Sequence, residues 1–279
     1  LSSLFITNIP SLSSVIPKNY SWSDDQYHFL NLVYCRQCAV RIRHSTFAQL
    51  ATENLTKIFN RKFIFVRSNV YFAPDFIANP YHREVLCSVF EPKNLFHSLY
   101  KKLFKLAPEI EKELNAILGP ISSRDLIGIQ IRVKDRVAFP IKKASSFFSC
   151  ANYISSSYNN PLFFIASDSE DLKKWGKLFL NDVLELNKPT HNFSQEGIKN
   201  AVLDMMILSR CKEVILTPFS TFGAVAAGIG EIVPHFITRN EGFCVKDLTS
   251  EPKFHYWPVL APYAIPSSSD MVNQDDSFL

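Results

Sequence analysis

The sequence predicts an α/β protein built on a parallel sheet, and two observations support this class. Beyond residue 120, segments rich in β-branched residues alternate with segments of helical periodicity, which is typical of βαβ units. The stretch Leu126–Val133, LIGIQIRV, alternates branched apolar side chains with Gly128, Gln130 and Arg132, as a buried strand does. We therefore expect this stretch to be a central strand of the sheet.

The same patterns predict the other elements of the second half. Gly, Pro and Ser interrupt the periodicity over residues 118–124, which indicates a domain boundary. We expect an amino-terminal domain over residues 1–120, a second domain over 121–266 and a loose polar tail over 267–279. The predicted strands are Leu126–Val133, Pro161–Ser167, Glu213–Thr217 and Glu231–Thr238, and the predicted helices are Ser169–Leu180, Gly197–Arg210 and one that begins at Ser220.

The first half is less regular. A strand is predicted at Lys62–Arg67, and helical spacing runs over Leu95–Ile117, with Pro108 starting a new helix. Between them, two prolines and three aromatic residues in Ser68–Pro80 predict an irregular segment, where binding groups often lie. The alternative is that its aromatic residues only fill the core.

Composition narrows the class of function. In 279 residues, 47% are hydrophobic and 20% charged, which excludes a disordered chain, and a net charge of +4 is too small to indicate nucleic-acid binding. No apolar run is long enough to cross a bilayer. The CxxC pair Cys35–Cys38 lacks a second pair of zinc ligands, so a disulfide or simple burial is favoured over a metal site, and no metal is expected.

Two features predict an anion site at the carboxyl edge of the sheet. Arg132 lies at the end of its strand, where its guanidinium offers donors that match phosphate oxygens. Ser220 and Thr221 lie at the start of a helix that follows another strand, where N–H groups and the helix dipole attract anions. Together they predict a diphosphate site. The alternatives are an Arg paired with an acid such as Asp135 and an ordinary helix cap.

Other side chains give weaker signals. Asp204 shares a helix face with apolar residues, so it points inward and needs a partner, which could be a protein group, a guanine base or a ribose. The seven histidines form no metal or triad pattern and GxSxG is absent, so hydrolase chemistry has no support.

Four patches resemble the plant-type xyloglucan α-1,2-fucosyltransferases and, more loosely, other GDP-fucose transferases. The resemblance covers about Phe63 to Gly230, whereas the region before it shows no match and is shorter than in the family, so we expect a shortened acceptor-side domain. The patches are NVYFAPDFIANP with VFEPKNLFHSLYKKLF, IGIQIRV, IASDSEDL, and AVLDMMILSRCKEVILTPFSTFGAVAAGIG.

The resemblance implies a GT-B-like glycosyltransferase with two Rossmann-like domains, of which the C-terminal one binds GDP-β-L-fucose without a metal or other cofactor. Arg132 matches the family arginine that holds the β-phosphate, and Asp204 matches the acid on the preceding helix. The expected partners are GDP-fucose and an oligosaccharide or polysaccharide acceptor. The donor-side residues so implied are Gln130, Arg132, Ser167, Asp168, Asp204, Ser220, Thr221, Phe222 and Gly223, and those on the acceptor side are Tyr71 and Phe72.

The expected reaction is an inverting transfer of fucose to a glycan hydroxyl, with an α-1,2 linkage. Asn69 occupies the position of the family's acid and cannot act as a base, so Asp75 or a water takes that role, or the acceptor differs, or activity is lost. The alternatives are an inactive nucleotide- or glycan-binding homologue and a transferase of another nucleotide sugar. Sequons at Asn19, Asn54 and Asn192 favour a glycoprotein in the Golgi lumen, as a type II membrane protein whose anchor lies outside this chain, or a secreted protein.

Overall fold

The computed structural model describes residues 5–7, 27–32, 49–60, 63–68, 71–133, 143–186, 194–218, 220–238 and 241–252. These residues fall into two compact units: the first comprises residues 5–7 and 100–252, and the second comprises residues 27–99. Residues 100–120 therefore cluster with the large sheet, whereas the sequence indicated a boundary at 118–124. The acceptor and donor roles of domains 1–120 and 121–266 remain predictions, and the polar tail lies outside the described residues.

The described elements alternate along the chain. The strands are β1 Phe5–Thr7, β2 Tyr27–Leu32, β3 Phe63–Ser68, β4 Phe104–Leu106, β5 Asp125–Ile131, β6 Pro161–Ser167, β7 Val183–Leu184, β8 Glu213–Leu216, β9 His235–Ile237 and β10 Cys244–Lys246. The α-helices are α1 Leu55–Ile58, α2 Ala73–Ala78, α3 Arg83–Val89, α4 Leu95–Leu103, α5 Pro108–Leu118, α6 Ser145–Ser155, α7 Glu170–Phe179, α8 Gln195–Leu208 and α9 Thr221–Gly230. None of the described helices is long and apolar enough to span a bilayer.

The first unit is built on a six-stranded sheet in the order β10-β9-β8-β5-β6-β7. Its neighbouring strands are parallel except for the antiparallel pair β9–β10, which confirms the predicted α/β class with a mostly parallel sheet. The chain proceeds outward from β5 to β7, then returns to the other side of β5 and proceeds outward from β8 to β10. The direction of winding therefore reverses between β5 and β8, the point at which open α/β sheets bind ligands.

The two faces of β5 explain its alternating sequence. Ile127, Ile129 and Ile131 are fully buried in a core that also contains Phe147 and Phe148 of α6. On the opposite face, a Cβ at Gly128 would lie 2.7 Å from Leu208 Cδ2, so this position has no room for a side chain. Both faces of β5 are thus covered, and the prediction of a buried central strand is confirmed.

Several predicted boundaries need correction. Helix α6 was not predicted, because its Ser-rich first turn has no side-chain cap and its helical state depends on burial of its apolar face. The predicted strand Glu231–Thr238 shortens to β9, since Glu231 is instead the left-handed residue (φ 56°) that ends α9. The helical segment predicted over Leu95–Ile117 contains the short strand β4, which pairs with β1, and the new helix predicted to start at Pro108 is confirmed as α5.

The second unit contains the parallel pair β2–β3 and a group of short helices. The irregular segment predicted at Ser68–Pro80 contains α2, because Pro74 lies in the first turn, where its missing N–H costs nothing. Asn79, which ends α2, is fully buried and donates to the carbonyls of Leu50 (2.7 Å) and Glu53 (2.8 Å). The hydrogen bonds of this amide connect the segment of helical residues 49–52 to the end of α2.

Candidate anion-binding site

Arg132 lies at the point where the winding of the sheet reverses. It follows the last residue of β5, and Gln130 of that strand pairs with Leu216, the last residue of β8. Helix α9 begins at Thr221, five residues after β8 ends. The cation and the helix start therefore follow the carboxyl ends of adjacent parallel strands, within one unit of the molecule.

Thr217 joins these two strand ends through its side chain. Its hydroxyl Oγ1 accepts a hydrogen bond from the Arg132 N–H (2.9 Å) and donates to the Gln130 carbonyl (2.9 Å). The Thr217 N–H in turn faces the carbonyl (3.0 Å) and the side-chain Oε1 (3.3 Å) of Gln130. Sequence reasoning missed this residue as part of the site, although a threonine directly after a buried strand, beside Pro218, was a usable signal.

Asp168 and Ser167 hold the other side of the same strand end. Asp168 Oδ1 accepts from the Val133 N–H (2.9 Å), and its Oδ2 lies 3.2 Å from Arg132 Nε. The Ser167 hydroxyl donates to the Ile131 carbonyl (2.9 Å). The Arg132 side chain is 43% exposed and that of Asp168 is 9% exposed. This ion pair agrees with the alternative of an arginine paired with an acid, although Asp135, the acid named for that role, lies outside the described residues.

The start of α9 has no side-chain cap. Ser220 is the N-cap by its backbone, but its hydroxyl accepts no N–H of the helix. Thr221 is exposed and Phe222 is half-buried. Gly223 is buried, and a Cβ there would lie 2.9 Å from Gln130 Oε1 and 2.9 Å from Leu216 Cδ2, so the close approach of α9 to β5 and β8 requires glycine.

Asp204 points inward, as its helical spacing predicted. It lies on α8 and is 7% exposed, while Leu208, one turn later, is fully buried. Helix α8 packs against β5, β6 and α9. The carboxylate is therefore held within the layer of helices on the Gly128 face of the sheet, and contact with a nucleotide base or ribose remains a prediction.

The residues expected on the acceptor side belong to the second unit. Tyr71 packs edge-on against Phe96 with ring centroids 5.4 Å apart, and Phe72 packs against Phe76 at 5.7 Å. These contacts agree with the core-filling alternative, and an acceptor role stays a prediction. Asn69 lies outside the described residues, whereas burial raises the pKa of Asp75 to about 7.

An apolar cavity of about 590 Å³ also lies in the second unit. No charged side chain lines it within the described part of the chain, and its histidine, His82, accepts the Leu55 N–H at Nε2 (3.0 Å). This hydrogen bond gives the His82 side chain a structural partner. A diphosphate has no counter-charge in this cavity, so we do not assign the anion to it.

The amino edge of the sheet carries a second charged cluster. Lys212 pairs with Asp125, Arg124 with Asp182 (2.7 Å), and Glu213 accepts from Tyr158 (3.2 Å), His235 (3.0 Å) and Lys246 (3.2 Å). The Lys212 ammonium lowers the pKa of Asp125, and burial lowers the pKa of His235. These charges neutralise one another.

Cys150 and Cys244 form a disulfide that joins α6 to β10, a pairing that the sequence left open. Their sulfur atoms lie near His235, which makes the three residues a geometric candidate for a metal site, but both thiols are consumed in the bond. Cys35 and Cys38 lie outside the described residues.

The structure thus gathers most of the predicted donor-side residues at one sheet edge. The acceptor-side residues belong to the other unit, and Asp204 lies buried on α8. The residues at the carboxyl edge are Gln130, Arg132, Ser167, Asp168, Thr217, Ser220, Thr221, Phe222 and Gly223.

Comparisons with known proteins point to one group of enzymes, although no family model matches the chain. Fucosyltransferase 2 of Arabidopsis thaliana is 24% identical over 247 residues, covering 74% of this chain and 45% of the relative. Probable fucosyltransferase 9 of the same plant is 26% identical over 212 residues, covering 68% and 40%. The chain therefore spans less than half the length of the curated relatives it matches.

A solved structure gives the corresponding match of fold. The structure of an Arabidopsis thaliana FUT1 mutant in complex with GDP superposes with a TM-score of 0.69 at 20% identity, over 92% of this chain and 67% of that one. Because the identity is low, this match concerns the fold. The chain is a distant homologue of the Arabidopsis fucosyltransferases, with an α/β fold that matches the fold of FUT1.

Proposed function

We propose that this chain is a metal-independent, inverting fucosyltransferase that binds GDP-β-L-fucose at the carboxyl edge of its large sheet. The observation that carries the proposal is the position of Arg132 and the start of α9 on either side of the reversal point between β5 and β8. Distant homology to plant fucosyltransferases supports the choice of donor. We further propose that the two units are the domains of a GT-B-like enzyme, with the donor on the carboxyl-terminal one.

The proposed chemistry is electrostatic. As the acceptor hydroxyl attacks the anomeric carbon, the bond to the β-phosphate breaks and negative charge develops on the departing GDP. Arg132 and the first N–H groups of α9 stabilise that charge without needing to move, because both belong to fixed ends of secondary structure. A cation and aligned N–H donors supply the stabilisation that a divalent metal supplies in other transferases.

Activation of the acceptor is the second part of the proposal. A base must take the proton of the attacking hydroxyl, and a pKa close to the working pH suits that task. Asp75 has a pKa raised to about 7 by burial, so it is our candidate among the described carboxylates, with a water as the alternative. By resemblance to the plant family, the product carries an α-1,2-linked fucose on a glycan.

A single assay tests donor and turnover together. The purified chain is incubated with GDP-fucose, GDP-mannose or UDP-sugars, with and without a panel of glycan acceptors and EDTA, and both released nucleotide and fucosylated product are measured. Among the sugar nucleotides, we expect only GDP-fucose to release its nucleotide. We expect EDTA to leave the rate of fucose transfer unchanged. Release from another sugar nucleotide, or a strict need for Mn²⁺ or Mg²⁺, contradicts the proposal.

The second candidate is a homologue that binds the nucleotide or a glycan and turns nothing over. Asn69, in the position where the plant family has an acid, favours it. Tight GDP binding without hydrolysis or transfer in the same assay selects this candidate. Binding and turnover of a different nucleotide sugar selects a transferase with another donor, since the residues of the site address the diphosphate more directly than the sugar.

We also propose that the protein is located in the Golgi lumen or is secreted, as a glycoprotein. The Cys150–Cys244 disulfide fits an oxidising compartment, and three sequons are present. Asn54, in one of them, accepts hydrogen bonds from Thr56 at the start of α1. We expect a glycosidase to increase the electrophoretic mobility of the protein made in its own cells, and no change in mobility contradicts the localisation.

A further inference from the structure

The backbone hydrogen-bond ladder of β5 stops just before the functional residue that follows it. Pairing with β8 ends at Gln130–Leu216, and pairing with β6 ends at Ile131–Ser167. Arg132 is therefore the first residue beyond both ladders. A backbone segment without ladder bonds samples more conformations unless side chains replace those bonds.

Thr217 replaces them on the β8 side. Thr217 is 1% exposed. Its hydroxyl accepts a hydrogen bond from the Arg132 N–H at 2.9 Å and donates one to the Gln130 carbonyl at 2.9 Å. One group thus satisfies a donor and an acceptor on either side of Ile131. A hydroxyl can donate and accept a hydrogen bond at the same time. Serine therefore keeps both bonds, whereas valine, which has nearly the same shape as threonine, removes them.

The position of Thr217 links this bond to the anion site. Ser220, the N-cap of α9, follows three residues later and donates its N–H to the Thr217 carbonyl (3.2 Å). The same residue therefore contacts the backbone of Arg132 through its side chain and the start of α9 through its main chain. On the β6 side, the Asp168 carboxylate holds Val133 N–H and Arg132 Nε.

We propose that Thr217 is a positioning residue that sets Arg132 against the start of α9, and that its hydroxyl contributes to affinity for a nucleoside diphosphate without touching the ligand. This inference rests on the proposed function for the identity of the ligand. Binding at preorganised groups falls steeply when a contact is displaced, so loss of this hydroxyl acts on the ligand through Arg132.

The test compares Thr217→Val with Thr217→Ser in the full chain. GDP affinity is measured by calorimetry at a temperature where all variants are folded, and amide hydrogen exchange at Arg132 is measured without nucleotide. We expect Thr217→Val to raise the Kd for GDP roughly tenfold and to accelerate exchange at Arg132 by a similar factor, about the worth of one buried hydrogen bond. Thr217→Ser should restore both values to within about twofold of wild type on the same reasoning.

A matched control separates positioning from general stability. Ser209 also has a buried hydroxyl, which donates to the Met206 carbonyl (2.7 Å) at the end of α8, before β8 begins. Ser209→Ala should lower the melting temperature and leave both the Kd for GDP and exchange at Arg132 unchanged. If Ser209→Ala weakens GDP binding as much as Thr217→Val does, the hydroxyl acts through stability alone and the inference is overturned.

The remaining outcomes are distinct for the two proposals. If wild type binds GDP and Thr217→Val binds it equally well, the positioning role is wrong while the proposed function stands. If wild type binds no GDP, the proposed function is wrong, and the exchange measurement still decides whether Thr217 holds the Arg132 backbone. Unchanged exchange at Arg132 in Thr217→Val rejects that bond directly.

Discussion

The two ends of the large sheet use their charged side chains differently. At the amino edge, acids and bases pair with each other, and Glu213 alone accepts from Tyr158, His235 and Lys246. At the carboxyl edge, hydroxyls and a carboxylate bind the backbone of β5, while Arg132 keeps 43% of its side chain exposed. The charged side chains of the amino edge pair with one another. At the carboxyl edge, Arg132 is held by Asp168 and follows a strand end whose backbone is bonded by neighbouring side chains.

This difference agrees with the proposed function, in which the carboxyl edge binds the nucleotide and the amino edge contributes only to stability. Exposed ion pairs contribute little to stability and saturate each other's charge, so they leave no field for a ligand. Arg132 is also paired, with Asp168 at its Nε, but a guanidinium has five N–H donors, so pairing with one carboxylate is compatible with binding an anion. Substitutions at the two edges should therefore separate binding from stability.

The largest expected effect is the loss of GDP binding in Arg132→Ala. Charge-assisted hydrogen bonds to a phosphate are worth about 3 kcal/mol, so we expect the Kd for GDP to rise by at least roughly 100-fold, with the protein still folded by circular dichroism. Lys212→Ala, which removes a cation from the amino edge, is the matched control and should leave the Kd unchanged. Equal losses in the two variants would show that only net charge matters.

Alanine substitutions at Gly223 and Gly128 compare the carboxyl edge of the sheet with its middle. At Gly223 the new Cβ would lie 2.9 Å from Gln130 Oε1, and at Gly128 it would lie 2.7 Å from Leu208 Cδ2. Overpacking of this kind costs about 1–3 kcal/mol, so both alanine variants should unfold at lower urea concentration. Only Gly223→Ala should also weaken GDP binding, measured by calorimetry, because it displaces the start of α9.

Glu213→Ala should affect stability alone. It removes an acceptor that is 16% exposed and serves three donors, so we expect a loss of about 1–2 kcal/mol in the free energy of unfolding, measured with urea. Glu185→Ala breaks the exposed pair with Lys177 and should change it by less than about 0.5 kcal/mol. GDP affinity should be unchanged in both variants. A weaker affinity in Glu213→Ala would contradict the division between the edges.

The smallest effect concerns pH at the amino edge. Burial lowers the pKa of His235 below its ordinary value of 6.5, although its bond to Glu213 opposes that shift. The unfolded chain therefore binds a proton at this residue at a higher pH than the folded chain does. Its contribution to stability is present above pH 6.5 and is lost as pH falls below it. In His235→Gln, urea unfolding should depend less steeply on pH in this window; an identical dependence contradicts the assignment.

Much of the site was predictable because its signals are local. The alternation of branched apolar residues in LIGIQIRV identified a central strand with a cation at its end. Ser220 before an apolar segment identified the start of a helix. Helix α6 was not predictable in this way, because its sequence lacks a cap and its helical state depends on the core it fills. Thr217 was missed for a related reason, since its partners Gln130 and Arg132 are distant in the chain.

The sequence by itself determined the strands β5, β6 and β8 and the helices α7 and α8, and that an arginine and a helix start follow two of the strands. Burial periodicity and caps depend on neighbours within a few residues, so they are written into short stretches of chain. Only the tertiary structure showed that the winding reverses between β5 and β8 and that the Thr217 hydroxyl joins Arg132 to the turn into α9. Strand order depends on pairing between segments more than 80 residues apart, and no local pattern encodes that choice.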